Sequence, residues 1–164
     1  MENLKLNETP VRTAKNFRIN NIKLENIEVP EVIPSFENVT IIGDTSKMDI
    51  EQNADNADNT NIDLVYGLSE ELTNQVKHGA NQKVKLNINS SNENEITEAE
   101  IDFKFYNENV VLIDDIEIIA NENTKSTVII KYTSNQEDES YHNGIIKAKA
   151  EKNAELNIVL VNLM

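Results

Sequence analysis

The chain repeats itself in its last third, and this repeat restricts the fold more than any other feature of the sequence. Residues 116–130 align with residues 146–160 at an offset of thirty positions, so that Ile130, for example, falls on Leu160. Each unit has two alternating apolar strands around a polar turn, and one such unit cannot bury its apolar face without a neighbour stacked on it. The repeat therefore predicts a solenoid of stacked strands.

The second copy of the repeat continues to the end of the sequence. Val159, Val161 and Leu163 still alternate with other residues before Met164, and a period of two is typical of a β-strand. We therefore expect the chain to be the first part of a longer, truncated solenoid.

Composition sets the type of core and the compartment. The aromatic fraction is 5% and there is no Trp, so Ile, Val and Leu must build the core, and β-branched residues suit strands.

A formal net charge of −14 opposes binding to nucleic acid or to an anionic membrane surface, because both are polyanions. No apolar run or leader is long enough to cross a membrane or direct export. We expect a soluble, cytoplasmic protein with no nucleic-acid or membrane partner. The absence of Cys excludes disulfides and thiolate ligands from this sequence.

The pattern changes near residue 80. In the N-terminal segment, residues 1–80, the stretch 45–61 has too little apolar surface to offset the entropy of ordering, and we predict a mobile polar loop there. Ser69, followed by two glutamates, is an N-cap signal that predicts a helix over 69–79. Residues 81–164 then alternate as β structure.

Several short motifs occur in a recognisable order. They are TPVRT at 9–13 with Phe17, Ile19 and Asn20, GLSEEL at 67–72, LIDDIEIIA at 112–120, STVIIKY at 126–132, YHNG at 141–144 and AKAEKNA at 148–154. In this order they resemble the N-terminal segment, the helix and the first β-helix turns of the SufB/SufD family of iron-sulfur cluster assembly proteins, of the short clostridial SufD-like type. Ala14 and Phe17 depart from the family pattern, and the likeness fails over 45–61.

The resemblance implies a mainly β fold, a right-handed parallel β-helix with a small N-terminal segment that contains one short helix. It also implies a non-enzymatic scaffold subunit of the SUF complex, with a SufC-type ATPase and a SufB/SufD-type paralogue or a second copy as partners. The cluster chemistry of the family lies in late regions that have no counterpart before Met164. We therefore assign no catalytic, cofactor-binding or metal residue, and expect an iron-sulfur cluster only on the full-length complex.

Individual residues admit a functional and a structural interpretation. His142, with the acidic run 137–139, could bind a cation, but metal sites need convergent ligands and the spacing does not enforce convergence. We interpret Asn143 and Gly144 as the positive-φ residues of a tight turn, with His142 packed beside it. His78 is expected to interact with the dipole at the end of the predicted helix.

The acidic and amide residues are also interpreted structurally. A calcium loop of the EF-hand type needs a Gly at its sixth position, and none occurs from residue 45 to 64. The acidic residues set aside on this ground are Asp49, Glu51, Asp55, Asp58 and Asp63. Asp114 and Asp115 would point to opposite faces of a strand, so they are not an acid–base pair, and we place them at a β-helix corner. Corners with left-handed φ are also predicted at Asn121, Asn123 and Asn153.

Two other classes of function remain open. A stand-alone acidic β-solenoid could serve as a protein-interaction module, with the terminal strand as its docking edge. Parallel β-helices also include polysaccharide lyases and hydrolases, which rely on clustered carboxylates along one strand face. We see no such cluster in the sequence.

Overall fold

Ten strands and one helix make up the part of the chain that the computed structural model describes, residues 4–6, 22–24, 29–54, 69–89, 95–135 and 139–164. The elements are β1 (Leu4–Leu6), β2 (Ile22–Leu24), β3 (Val39–Gly43), β4 (Met48–Gln52), α1 (Glu70–Gly79), β5 (Gln82–Ile88), β6 (Ile96–Phe105), β7 (Val111–Ala120), β8 (Lys125–Ser134), β9 (Tyr141–Ala150) and β10 (Glu155–Leu163).

Eight of the strands form two four-stranded sheets. One sheet has the order β10-β8-β6-β3 and the other has the order β4-β5-β7-β9. Successive strands from β5 to β10 alternate between the two sheets, and neighbours within each sheet run parallel. The outer strands β3 and β4 pair antiparallel with β6 and β5, so both sheets are mixed. β1 and β2 form a separate antiparallel pair.

The thirty-residue repeat is confirmed as the register of the parallel pairs. Ile116 lies opposite Ile146 in the β7–β9 pair, and Ile130 lies opposite Leu160 in the β8–β10 pair. The fold predicted from the repeat, a right-handed parallel β-helix or solenoid, is wrong, because the strands form two mixed sheets. A repeat sets the register only of the strands that carry it. β3 and β4, which precede the repeat, are joined by a tight turn in which Lys47 N donates to Asp44 O at 2.8 Å. β3 pairs antiparallel with β6, and β4 pairs antiparallel with β5.

The core lies between the two sheets. Alternate residues of both sheets point into it, as the buried-every-second-residue pattern of β5 and β6 requires. The largest fully buried side chains are Phe36, Phe103, Phe105, Met48, Leu86, Ile88, Ile101, Leu112, Ile113, Ile116, Ile118 and Ile130. Burying each such side chain stabilises the fold by about 1.5–3 kcal/mol. Aliphatic and Phe side chains thus supply a core that needs no Trp.

The helix forms where the sequence predicts it. Ser69 Oγ accepts a hydrogen bond from Leu72 N at 3.1 Å, which satisfies one free N–H of the first turn. Val76 is 1% exposed, and α1 contacts β7 and β9. The stretch 45–61, predicted as a mobile loop, instead contains the strand β4, and residues 55–61 lie outside the described part of the chain.

Candidate functional site

The two sheets end on the same side of the molecule, at β9 and β10. A four-residue connection joins these strands, with Ala154 N donating to Glu151 O at 3.0 Å and Asn153 at φ 57°. The preceding connection stacks on it, since Asn153 Nδ2 donates to Asn123 Oδ1 at 3.0 Å. Among the described residues, no strand pairs with the far side of β9 or of β10. We call these two strands the open edge.

β10 has the composition of a buried strand but lies at an edge. From Leu156 to its last residue, Leu163, it contains no charged residue and no Pro, two of the features by which natural sheets block edge pairing. Its apolar residues occupy both faces, which is typical of strands covered on both sides. Three of its apolar side chains are nonetheless exposed, Val159 44%, Leu160 59% and Leu163 64%, and Met164, which follows the strand, is 48% exposed. The second half of β10 therefore leaves apolar side chains uncovered on both faces.

The charge of the open edge differs from that of the rest of the protein. Residues 141–164 contain three Lys and two Glu, a net charge of +1, so the remaining 140 residues carry −15. Lys149 Nζ lies 2.7 Å from Glu151 Oε1, and Lys147, 3% exposed, lies 2.7 Å from Asp115 Oδ1 of β7. Charge is thus nearly balanced at the open edge.

A polar cluster lies behind β9. The carboxyl group of Asp114 on β7 is fully buried, and each of its oxygens has a partner. His142 Nε2 lies 2.6 Å from Asp114 Oδ1, and Tyr132 OH donates to Asp114 Oδ2 at 3.2 Å. The ring centroids of Tyr132 and His142 are 4.3 Å apart, and the Tyr132 ring stacks on that of Phe103. A buried carboxylate held on both oxygens in this way fixes the position of β9 against β7 and β8.

Two tyrosines around β9 have perturbed acidity. Burial, with the Asp114 carboxylate next to it, raises the pKa of Tyr132 far above its ordinary value of 10.0. Burial also raises the pKa of Tyr141, and its hydrogen bond to Gln75 Oε1 at 2.8 Å acts in the opposite direction. Both phenols are therefore neutral hydrogen-bond donors at neutral pH.

The predicted tight turn around His142 is wrong. His142, Asn143 and Gly144 lie within the strand β9, and Gly144 does not have a positive φ. Asn143 Nδ2 donates to Leu72 O of α1 at 3.0 Å instead. Of the acidic run 137–139, Glu139 is described and the other two residues lie outside the described part of the chain.

The predicted positions of the other residues are partly confirmed. Asp114 and Asp115 do face opposite sides, the core and Lys147, but both lie within β7 and not at a corner. Left-handed φ is confirmed for Asn123 and Asn153, and not for Asn121.

His78 lies in the last turn of α1 as expected. Asp49 and Glu51 lie in β4, and Asp49 Oδ2 accepts a hydrogen bond from Asn89 Nδ2 at 2.9 Å. Asp55, Asp58 and Asp63 lie outside the described residues. Within the described ranges, no group of three or more acidic or His residues is arranged to hold a metal ion.

Sequence reasoning missed the roles of Tyr132 and Lys147 and gave Gly144 the wrong one. Their partners are 18 to 32 residues away along the chain, so no local motif marks them. The thirty-residue repeat was the available signal, because it places Gly144 opposite Asp114.

Comparisons with known proteins do not identify the chain. No family model matches it, and neither a curated protein nor a solved structure does. The resemblance to the SufB/SufD family therefore stays a prediction. In the described ranges, no helix is long and apolar enough to cross a membrane.

Proposed function

We propose that this chain is a non-enzymatic, cytoplasmic protein-interaction module that docks a partner by β-strand addition at the open edge. The observation that carries the proposal is β10, an edge strand that has no charged residue after Glu155, is apolar on both faces and exposes Val159, Leu160 and Leu163. An added strand would pair with the free backbone groups of β10 and cover side chains on both faces. Main-chain pairing supplies affinity in this mode, and the alternating side chains supply specificity.

The polar cluster supports this function by holding the docking strands in place. β9 is tied to β7 by His142 and Asp114, and to α1 by Asn143 and Tyr141. A rigid edge loses little conformational entropy on binding. The same contacts give the buried carboxylate a positioning role, which agrees with a module that binds and does not catalyse.

The proposal corresponds to the second interpretation of the sequence, an interaction module, on two mixed sheets in place of a solenoid. The scaffold role in iron-sulfur cluster assembly, with a SufC-type ATPase and a SufB/SufD-type partner, stays a prediction from the resemblance. The β-helix that the resemblance implied is not the fold found, so that role has less support than the open edge itself.

Site-specific photo-crosslinking in cells tests the proposal. A photoreactive residue at position 159 in β10 is expected to give a discrete crosslinked product, which disappears in the Leu160→Lys background. The matched control is position 42 in β3, the opposite edge strand of the same sheet, where Ile42 is 59% exposed. Absence of a product at position 159, or the same products at both positions, would overturn the proposed docking edge.

A further inference from the structure

We propose that the partner of the open edge is a second copy of this chain, bound head to head through antiparallel pairing of β10 with β10. The inference rests on the proposed function, because it names the occupant of the same edge. A two-fold axis would run through Leu160 and extend the sheet from four strands to eight. Such an interface is closed, since each copy contributes the same surface.

β10 can pair with a second copy of itself without bringing charged side chains into the paired stretch. In the register centred on Leu160, residues 157–163 of β10 in one copy pair with the same seven residues of the other. Glu155 then lies beyond the end of the paired stretch, so no charged residue of β10 enters the pairing. Residues on the same face stay opposite each other, for example Val159 and Val161, because paired antiparallel residues share a face.

Electrostatic repulsion also affects where two copies can meet. Two copies with a net charge of −14 repel each other in most orientations. Residues 141–164 carry a net charge of only +1, so pairing at the open edge brings together strands whose own charges are nearly balanced.

The two ends of the sheets differ in the lengths of their edge strands. At the other end, the edge strands β3 and β4 have five residues each, and β4 carries Asp49 and Glu51. Pairing of β10 with either strand would match at most five residues, whereas β10 with β10 matches seven. A head-to-head dimer therefore uses more backbone groups than a head-to-tail filament.

Sedimentation of the purified chain tests the inference, with the mass followed up to about 100 µM, where a complex with a Kd of about 1 µM is almost fully formed. The wild-type chain is expected to be a dimer. Leu160→Lys places two like charges opposite each other at the axis and is expected to raise the dissociation constant by about a hundredfold or more. Ile42→Lys, at an equally exposed position of β3, is expected to leave the dimer intact. Leu160 is 59% exposed, so the variants should retain the wild-type circular dichroism and melting temperature.

A charge-swap experiment tests the axis. Leu160→Lys and Leu160→Glu are each expected to be monomeric, and an equimolar mixture of the two is expected to recover the dimer mass. A mixture that stays monomeric, a dimer broken equally by Ile42→Lys, or species larger than a dimer would overturn the inference. A monomeric wild-type chain would also overturn it. If position 159 then crosslinks to a different protein in cells, the proposed function survives and only the identity of the partner fails.

Discussion

Gly144 lies directly opposite Asp114 in the parallel pairing of β9 with β7. A Cβ atom at residue 144 would lie 2.7 Å from both Cγ and Oδ2 of Asp114, a distance that real Cβ atoms do not show. The missing side chain thus makes room for the buried carboxyl group that holds His142 and Tyr132. Gly144 is required because the backbone of β9 lies close to the Asp114 carboxyl group, and not because the chain turns there.

Gly144→Ala is therefore expected to destabilise the protein. The Asp114 carboxyl group must move, and its bonds to His142 and Tyr132 lengthen or break. We expect a loss of about 1–3 kcal/mol in the free energy of unfolding, measured by urea denaturation. In the Asp114→Ala background the clash is absent, so the same Gly144→Ala change should cost much less. Equal costs in both backgrounds would show that Gly144 does not act through Asp114.

Stability should fall at alkaline pH through Tyr132. Its pKa is raised in the folded state, so the folded protein favours the neutral phenol. This contribution is complete below the unfolded-state pKa of about 10 and is lost as the pH rises from there towards the folded-state pKa, by about 1.4 kcal/mol per pH unit.

Urea denaturation between about pH 8 and pH 11 measures the effect. Tyr132→Phe is expected to reduce the slope above pH 10, whereas Tyr141→Phe should leave the contribution of Tyr132 in place. An unchanged slope in Tyr132→Phe would contradict the assignment.

Substitutions of Asn153 should change the stability of the protein because of the backbone conformation at this residue. Its φ of 57° lies in the left-handed region, which Asn and Gly tolerate and other residues adopt at a cost. Asn153→Ala is expected to lower the unfolding free energy by about 1–2 kcal/mol, through this strain and the lost bond to Asn123. Asn153→Gly relieves the strain and loses only the bond, so it should cost less. If Gly costs as much as Ala, the φ argument fails.

The sequence correctly predicted the elements whose conformation depends on local contacts. The Ser69 cap depends on a residue three positions away, and helix α1 begins there. The repeat predicted the register of Ile116 with Ile146 because parallel neighbours bury the same alternating pattern. In both cases the residues that signal the element also form it.

The predictions from the sequence were wrong where residues that are distant along the chain determine the conformation. Asn-Gly at 143–144 usually favours a tight turn, but pairing with β7 and the space needed by Asp114 keep it extended. In β4, Met48 and Ile50 do alternate with acidic residues, yet the polar composition of the whole stretch concealed the strand. Antiparallel pairing of β3 and β4, which makes the sheets mixed, leaves no mark in the repeat.

Hydrogen exchange of the backbone amides in residues 156–164 tests the central claim most directly, that β10 is a docking edge. Among the described residues, no strand pairs with the amides of β10 that point away from β8, whereas the strand added in a dimer would bond them. We predict that these amides exchange more slowly as the concentration of purified protein rises, and that the amides of β3 at residues 39–43 do not change. Exchange of β10 that is fast and independent of concentration, in a chain that also gives no crosslink at position 159, would contradict the account.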